Sequence, residues 1–256
     1  MLFVMDIGNT NIKCGFFEDR RLLHSFRLTT EVEQTSDEYG LTLLEFFHHL
    51  GIDPDEITGV MISSVIPSIN YTIEHAIRMY FGRKPMFVGP GVRTGINILY
   101  YNPKELGADR IVNAVAAYEL YGGPVITIDF GTATTFGAIS EDGDFLGGCI
   151  CTGLRLSAEA LTQNTAKLPR IELVRPDHVI CRSTVSGMQA GIIYGYVGQV
   201  QYIVEAMQQE IGPARVVATG GFSTLIAEQT GVIDNVVPTL TLLGLERIYR
   251  KNIVHD

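Results

Sequence analysis

The sequence predicts a mixed α/β protein built from two related halves. Three observations carry that prediction. Asp6 to Asn11 read D-I-G-N-T-N and Asp129 to Thr134 read D-F-G-T-A-T, each directly after a short apolar run. The likeness continues beyond the turns: Asp6/Asp129, Gly8/Gly131, Glu18/Glu141, Asp19/Asp142 and Leu23/Leu146 coincide at one offset of 123 positions, close to half of the 256 residues. Each half then runs three strand-like stretches followed by alternating helical and strand-like ones, an order that suits a mixed sheet with helices on its faces.

Residues 2–5, 12–17 and 22–28 read as strands, with Glu18-Asp19-Arg20-Arg21 as the hairpin turn between the second and third. A helix is expected over 36–50, where Leu41, Leu44 and Leu43/Phe47 recur at helical spacing, Ser36 is placed to cap it and Gly51 to stop it. A buried strand at 60–64, a helix at 67–81, a short strand at 86–88 and a linking helix at 108–121 complete the first half. Gly122-Gly123-Pro124 then breaks the chain. The second half repeats the pattern with strands at 125–128, 135–140 and 145–150 and a hairpin turn at Glu141-Asp142-Gly143-Asp144. A long helix over 185–210, a strand at 216–219, a Gly220-Gly221 turn and a helix follow, then a strand at 232–237 and a last helix over 240–250. No linker is long or proline-rich, so the expected arrangement is two closely packed domains, 1–121 and 122–256, with a cleft between them.

Composition narrows the function. With 46% hydrophobic and 18% charged residues the chain can bury a sizeable core and is not a disordered protein. A net charge of −9 argues against nucleic-acid or anionic-membrane partners, which require a surplus of Lys and Arg. No basic segment precedes the N-terminal apolar run, which stops at Asp6, and no apolar stretch approaches the roughly 18 residues that span a bilayer. A cytoplasmic protein is expected. Cys14, Cys149, Cys151 and Cys181 match no zinc or redox spacing and read as buried thiols. His48 and His49 suit a helix C-terminus, and His24, His75, His178 and His255 are scattered without ligand spacing. Tyr194, Tyr196 and Tyr202 read as core or subunit packing.

The two repeated turns carry the candidate chemistry. A turn rich in Gly, Thr and Asn after a strand offers several N–H groups and hydroxyls to one anion. Gly8 and Gly131 permit close approach, and Asp6 and Asp129 could hold a cation directly or through its waters. Phosphoryl transfer uses this set: donors around the phosphates, a cation to offset their charge and a group that positions the nucleophile. A single D-x-G-x-T also reads as a hairpin turn whose Asp bonds its own backbone, but two copies in equivalent places favour a shared polyphosphate ligand with its metal. Neither a Walker A loop nor a G-x-G-x-x-G fingerprint is present. Between the halves, Asp109 and Arg110 open a helix. They read either as a dipole-favoured acid followed by an exposed Arg, or as a base for an acceptor hydroxyl beside an anion-binding Arg.

The duplicated strand–turn–strand pattern resembles the acetate kinase, sugar kinase, Hsp70 and actin superfamily, which implies two ribonuclease-H-like domains of duplicated βββαβα type with an interdomain ATP cleft. A more specific resemblance rests on motifs in order: D-I-G-N-T-N-I-K, G-P-G-V-R-T-G, Y-x-x-P-x-E-x-G-A-D-R, I-D-F-G-T-A-T-T, T-V-S-G-M-Q-A-G-I-I-Y-G-Y-V-G-Q-V and A-T-G-G-F. Together they resemble the type III pantothenate kinase family over nearly the whole chain. That resemblance implies ATP and pantothenate as substrates, the first step of coenzyme A synthesis, Mg²⁺ and a monovalent cation (K⁺ or NH₄⁺), and a homodimer. It implies that Asp6, Ile7, Gly8, Asn9, Thr10, Asn11, Ile12 and Lys13 form the first phosphate-binding turn, with Asp6 at the magnesium and Thr132 contacting ATP from the second turn. It makes Asp109 the proton acceptor and has Tyr100, Gly107, Ala108, Asp109, Arg110 and Thr184 line the pantothenate pocket, with Asp129 holding the monovalent ion. One departure is Thr152, where the family commonly has proline; Thr152 is still able to cap the following helix. Two rivals are another small-molecule kinase of the superfamily, which the Tyr100–Arg110 motif argues against, and a non-enzymatic accessory factor for transcription, which intact Asp6, Asp109 and Asp129 argue against.

Overall fold

The computed structural model describes residues 1–253, so His255 lies outside the described residues. In the first half, β1 (Leu2–Ile7), β2 (Asn11–Glu18) and β3 (Arg21–Thr29) form an antiparallel meander. After α1 (Ser36–Leu50) come β4 (Gly59–Ser64), α2 (Pro67–Phe81) and β5 (Met86–Phe87); β4 pairs parallel with β1 and β5 parallel with β4. The sheet order is therefore β3-β2-β1-β4-β5. β6 (Asn97–Ile98) and α3 (Ala108–Tyr121) lead into β7 (Val125–Phe130), β8 (Ala133–Ile139) and β9 (Asp144–Thr152). Then follow α4 (Leu154–Gln163), α5 (Thr184–Ile211), β10 (Arg215–Gly220), α6 (Ser223–Ala227), β11 (Asn235–Val236) and α7 (Leu240–Asn252). The second sheet, β11-β10-β7-β8-β9-β6, repeats the first in the same order with β6 added at one edge. β1 and β7, and likewise β3 and β9, are related by the offset of 123 residues seen in the sequence.

Local chemistry accounts for the boundaries. The β2–β3 turn is only Asp19-Arg20, at φ 45° and 71°, the backbone that a tight two-residue hairpin requires. α1 begins one residue earlier than a Ser36 cap would require: Thr35 is the N-cap. Its hydroxyl accepts from the Glu38 N–H at 3.3 Å while the Glu38 carboxylate accepts from the Thr35 N–H at 2.7 Å. This is a reciprocal capping box. Those Thr35 donors hold the Glu38 carboxyl below the usual carboxylate range. Thr152 does not cap α4. It ends β9, and Gly153 is the N-cap without a side-chain bond, its N–H donating to the Thr132 carbonyl at 3.1 Å. A Cβ at Gly153 would overlap that carbonyl, so the tight position in the turn is 153 rather than 152. β7 runs on through Asp129, and the strand expected at 232–237 shortens to β11.

Backbone contacts divide the chain into two compact units. Unit 1 comprises Met1–Ile96, Tyr101–Ala116 and the chain from Leu240 onward; unit 2 comprises Asn97–Tyr100 and Ala117–Thr239. In unit 1 the rings of Phe3, Phe16 and Phe47 meet at 4.7–5.2 Å, joining β1, β2 and α1 into one apolar core. In unit 2, Ile126, Ile128, Phe136 and Val216 from the sheet pack with Ile193, Val197 and Val200 of α5. Tyr196 belongs to that core and its hydroxyl donates to Thr134 Oγ1 at 3.0 Å, whereas Tyr202 is exposed. Among the cysteines Cys14 is fully buried, which together with Asp6 pushes its thiol pKa up; the other three are half-buried rather than buried. Among the described residues no helix is long and apolar enough to cross a membrane.

Candidate functional site

Register builds the first turn. Asp6, near the end of β1, lies opposite Lys13 of β2 on one side and Ser63 of β4 on the other. Side chains at paired positions emerge on one face of a sheet. Ser63 Oγ accordingly donates to Asp6 Oδ1 at 2.7 Å, and Lys13 Nζ lies 3.4 Å from Asp6 Oδ2. Asp6 is only 5% exposed. Its buried charge is thus met by an ammonium and a hydroxyl, as burial demands. The turn closes through the Gly8 N–H to the Asn11 carbonyl at 3.1 Å, and Thr30 ties it down from β3's end, its hydroxyl donating to the Gly8 carbonyl at 2.7 Å. Ile7 and Ile12 pair across the strands and are fully buried, so of the predicted phosphate-binding run their side chains serve the core. Asn9, Thr10 and Asn11 face solvent. Ser63 was not singled out in the sequence. Its signal is a polar pair, Ser63-Ser64, ending an otherwise apolar strand.

The second turn is similar but not identical. Its internal bond runs from the Gly131 N–H to the Ala133 carbonyl at 3.1 Å, one residue tighter than the first. Asp129 lies opposite Thr135 of β8 and Thr219 of β10. The neighbours in register are therefore hydroxyls, where Asp6 has an ammonium. Thr132 is exposed between these residues.

The predicted acceptor residues and the second-turn residues Asp129 and Thr132 divide between the units. Gly107, Ala108, Asp109 and Arg110 lie in unit 1, where α3 begins; Tyr100, Asp129, Thr132 and Thr184 lie in unit 2. Asp109 Oδ1 accepts from the Arg110 N–H at 2.8 Å, and a Cβ at Gly107 would sit 2.5 Å from that same oxygen, so glycine leaves the carboxylate its place. Arg110 is only 7% exposed, which removes the reading of a solvated Arg. A guanidinium keeps its charge, so such burial implies a structural or binding task. Tyr100 rests against Phe145 at 6.3 Å between ring centres, and Thr184 is an exposed residue of the first turn of α5 behind the N-cap Ser183. Among the described residues no three His, Cys, Asp or Glu side chains converge on one metal position. A groove of about 420 Å³ between α4 and α5, lined by Thr152, Ser157, Leu161, Met188, Ile192 and Tyr196, contains none of the predicted site residues.

Two sheets of one strand order, each with an aspartate and a glycine turn at the end of a strand in its middle, give the chain two ribonuclease-H-like halves, the fold of solved sugar kinases. Solved structures share the fold. A candidate 2-dehydro-3-deoxygalactonokinase from Sinorhizobium meliloti is similar with a TM-score of 0.62 and 10% identity, over 100% of this chain and 99% of that one. A protein from Campylobacter jejuni named as a candidate Baf family transcriptional activator gives 0.61 and 19%, over 98% of both chains. The ROK hexokinase of Thermus thermophilus gives 0.53 and 14%, over 98% of this chain and 99% of that one. The family model of type III pantothenate kinase matches residues 2–206. The chain belongs to the type III pantothenate kinase family, and it is an ATP-dependent phosphotransferase.

Proposed function

We propose that the protein transfers the γ-phosphoryl group of ATP to the primary hydroxyl of pantothenate, giving 4′-phosphopantothenate and ADP, the first step of coenzyme A biosynthesis. The observation that carries this reading is the family match across residues 2–206, which includes the Gly107-Ala108-Asp109-Arg110 start of α3. In the reaction the pantothenate oxygen attacks the γ-phosphorus, the bond from that phosphorus to the β,γ-bridging oxygen breaks, and the hydroxyl proton passes to the Asp109 carboxylate. Arg110 pairs with the acceptor's carboxylate, while Tyr100 and Thr184 complete its pocket. The turn from Asp6 to Lys13 receives the triphosphate through its N–H groups and the Lys13 ammonium, with Thr132 contributing from the second turn. Asp6, through water, and Asp129 would hold Mg²⁺ and a monovalent cation respectively, which supply positive charge against the phosphate oxygens. Most of the rate comes from positioning and electrostatics rather than covalent chemistry. The protein works in the cytoplasm as a homodimer.

The test is a panel of acceptors scored by ADP release and product identity, with ATP, Mg²⁺ and K⁺. Formation of 4′-phosphopantothenate in step with ADP is the expected result; turnover of a sugar in its place removes the proposal. Asp129→Asn is expected to weaken activation by K⁺ or NH₄⁺ while some magnesium-dependent turnover remains, read as rate against cation concentration. An unchanged cation dependence would take the monovalent site away from Asp129.

A further inference from the structure

We infer that α7 is the seat of the Asp109-bearing helix, and that Gly244 and Thr241 are positioning residues for phosphoryl transfer. This rests on the proposed role of Asp109. The family match ends at residue 206, so α7 lies outside it. Yet α7 belongs to unit 1, where it packs on β1, β2 and β4. β1 is the strand that carries Asp6.

Two contacts fasten α7 to α3. The first is an approach so close that a Cβ on Gly244 would overlap the Val112 carbonyl oxygen and come within 2.7 Å of Val112 Cγ1. The second is a buried hydrogen bond in which Thr241 Oγ1 donates to Asn113 Oδ1 at 2.9 Å, the two residues being 1% and 2% exposed. Val112 and Asn113 stand three and four positions after Asp109, which places all three on one face of α3. The fastening is therefore one turn from the carboxylate and on its own side of the helix.

The other end of α7 is anchored independently. The Tyr249 ring lies where a Cβ on Gly59 of β4 would be. Asn252 clamps the backbone of Arg93, accepting from its N–H and donating to its carbonyl, both at 2.8 Å. α7 thus registers α3 against the sheet that ends in the first phosphate turn. Glycine inside a helix is less favourable than alanine, because it has more backbone freedom to lose. Gly244 sits mid-helix despite that cost, and the approach to Val112 is what alanine would forfeit.

The test joins an activity arm to an arm independent of substrate. Gly244→Ala should improve the intrinsic helicity of α7 yet push α3 away. Amide hydrogen exchange of residues 108–116 should rise in the substrate-free protein, and kcat should fall by about 100-fold, the loss expected for a shift on the order of 1 Å, with KM for ATP unchanged. Thr241→Val should give a smaller loss of kcat in the same pattern, and Thr241→Ser, which keeps the hydroxyl, should restore it. The Thr241 pair decides the matter if Gly244→Ala does not fold. Wild-type exchange over 108–116 in the variants overturns the inference, as does a loss of kcat matched by an equal rise in KM for ATP. If the wild-type protein fails to phosphorylate pantothenate while exchange over 108–116 still rises, the proposed reaction falls and the seating of α3 stands.

Discussion

Asparagine in place of Asp109 is expected to lower kcat by about 10²- to 10⁴-fold, the range contributed by a positioned general base, with ATP affinity retained. The substitution isolates the proton-accepting role because it changes little else. The amide has nearly the volume of the carboxylate, and its oxygen can still accept from the Arg110 N–H that Asp109 Oδ1 now engages at 2.8 Å. The start of α3 should therefore keep its geometry. What the proposed reaction would lose is a site for the hydroxyl proton and a negative charge beside the acceptor. Steady-state kinetics together with equilibrium titration of a fluorescent ATP analogue separate the two quantities. Near-normal turnover would remove Asp109 as the base, and a matching loss of nucleotide binding would make it a structural residue.

Asp6→Asn should act on the opposite partner of the reaction. Its carboxylate is held by Ser63 at 2.7 Å and by Lys13 at 3.4 Å, on adjacent strands of one sheet. The amide keeps the Ser63 bond but no longer balances the ammonium or attracts a divalent cation. The expected result is a loss of about 10²- to 10³-fold in kcat/KM for ATP, the scale on which removing one preorganised electrostatic group acts, together with a higher Mg²⁺ concentration for half-maximal rate. Rate measured against Mg²⁺ at fixed ATP reads both. An unchanged magnesium requirement would detach Asp6 from the metal. The contrast with Asp129→Asn is informative because the two aspartates are equivalent in the repeat: one should answer to the divalent ion and the other to the monovalent one.

The duplication was legible because it is a property of the chain itself. The offset of 123 residues that aligns Asp6 with Asp129 also aligns β1 with β7 and β3 with β9. Helices α1, α2 and α3 were legible because periodic apolar residues and a glycine or proline stop both acted on them. Smaller features escaped for identifiable reasons. Ser36 and Thr35 are both good caps, and only the reciprocal bond with Glu38 decides between them. β6 has two residues, too few for any period, and exists because β9 offers it an edge. Ser63 became part of the Asp6 cluster through strand register, a long-range property that no local pattern encodes. The burial of Arg110 is likewise tertiary. The two aspartates differ in their strand partners, Lys13 and Ser63 for Asp6 and Thr135 and Thr219 for Asp129, again a matter of register rather than local pattern.

The return of α7 to unit 1 has a consequence for the order in which the molecule is made. Synthesis runs from the N-terminus, so β1 through the first turns of α3 leave the ribosome well before Leu240 exists. Until it does, the surfaces of β1, β2 and β4 that α7 covers, the Gly59 shelf and the Val112 carbonyl remain open to water and to other chains. Unit 2 has no such debt to later sequence, since all of its segments precede Leu240. The half of the chain synthesised second is therefore able to close first, and the earlier half waits for its last helix.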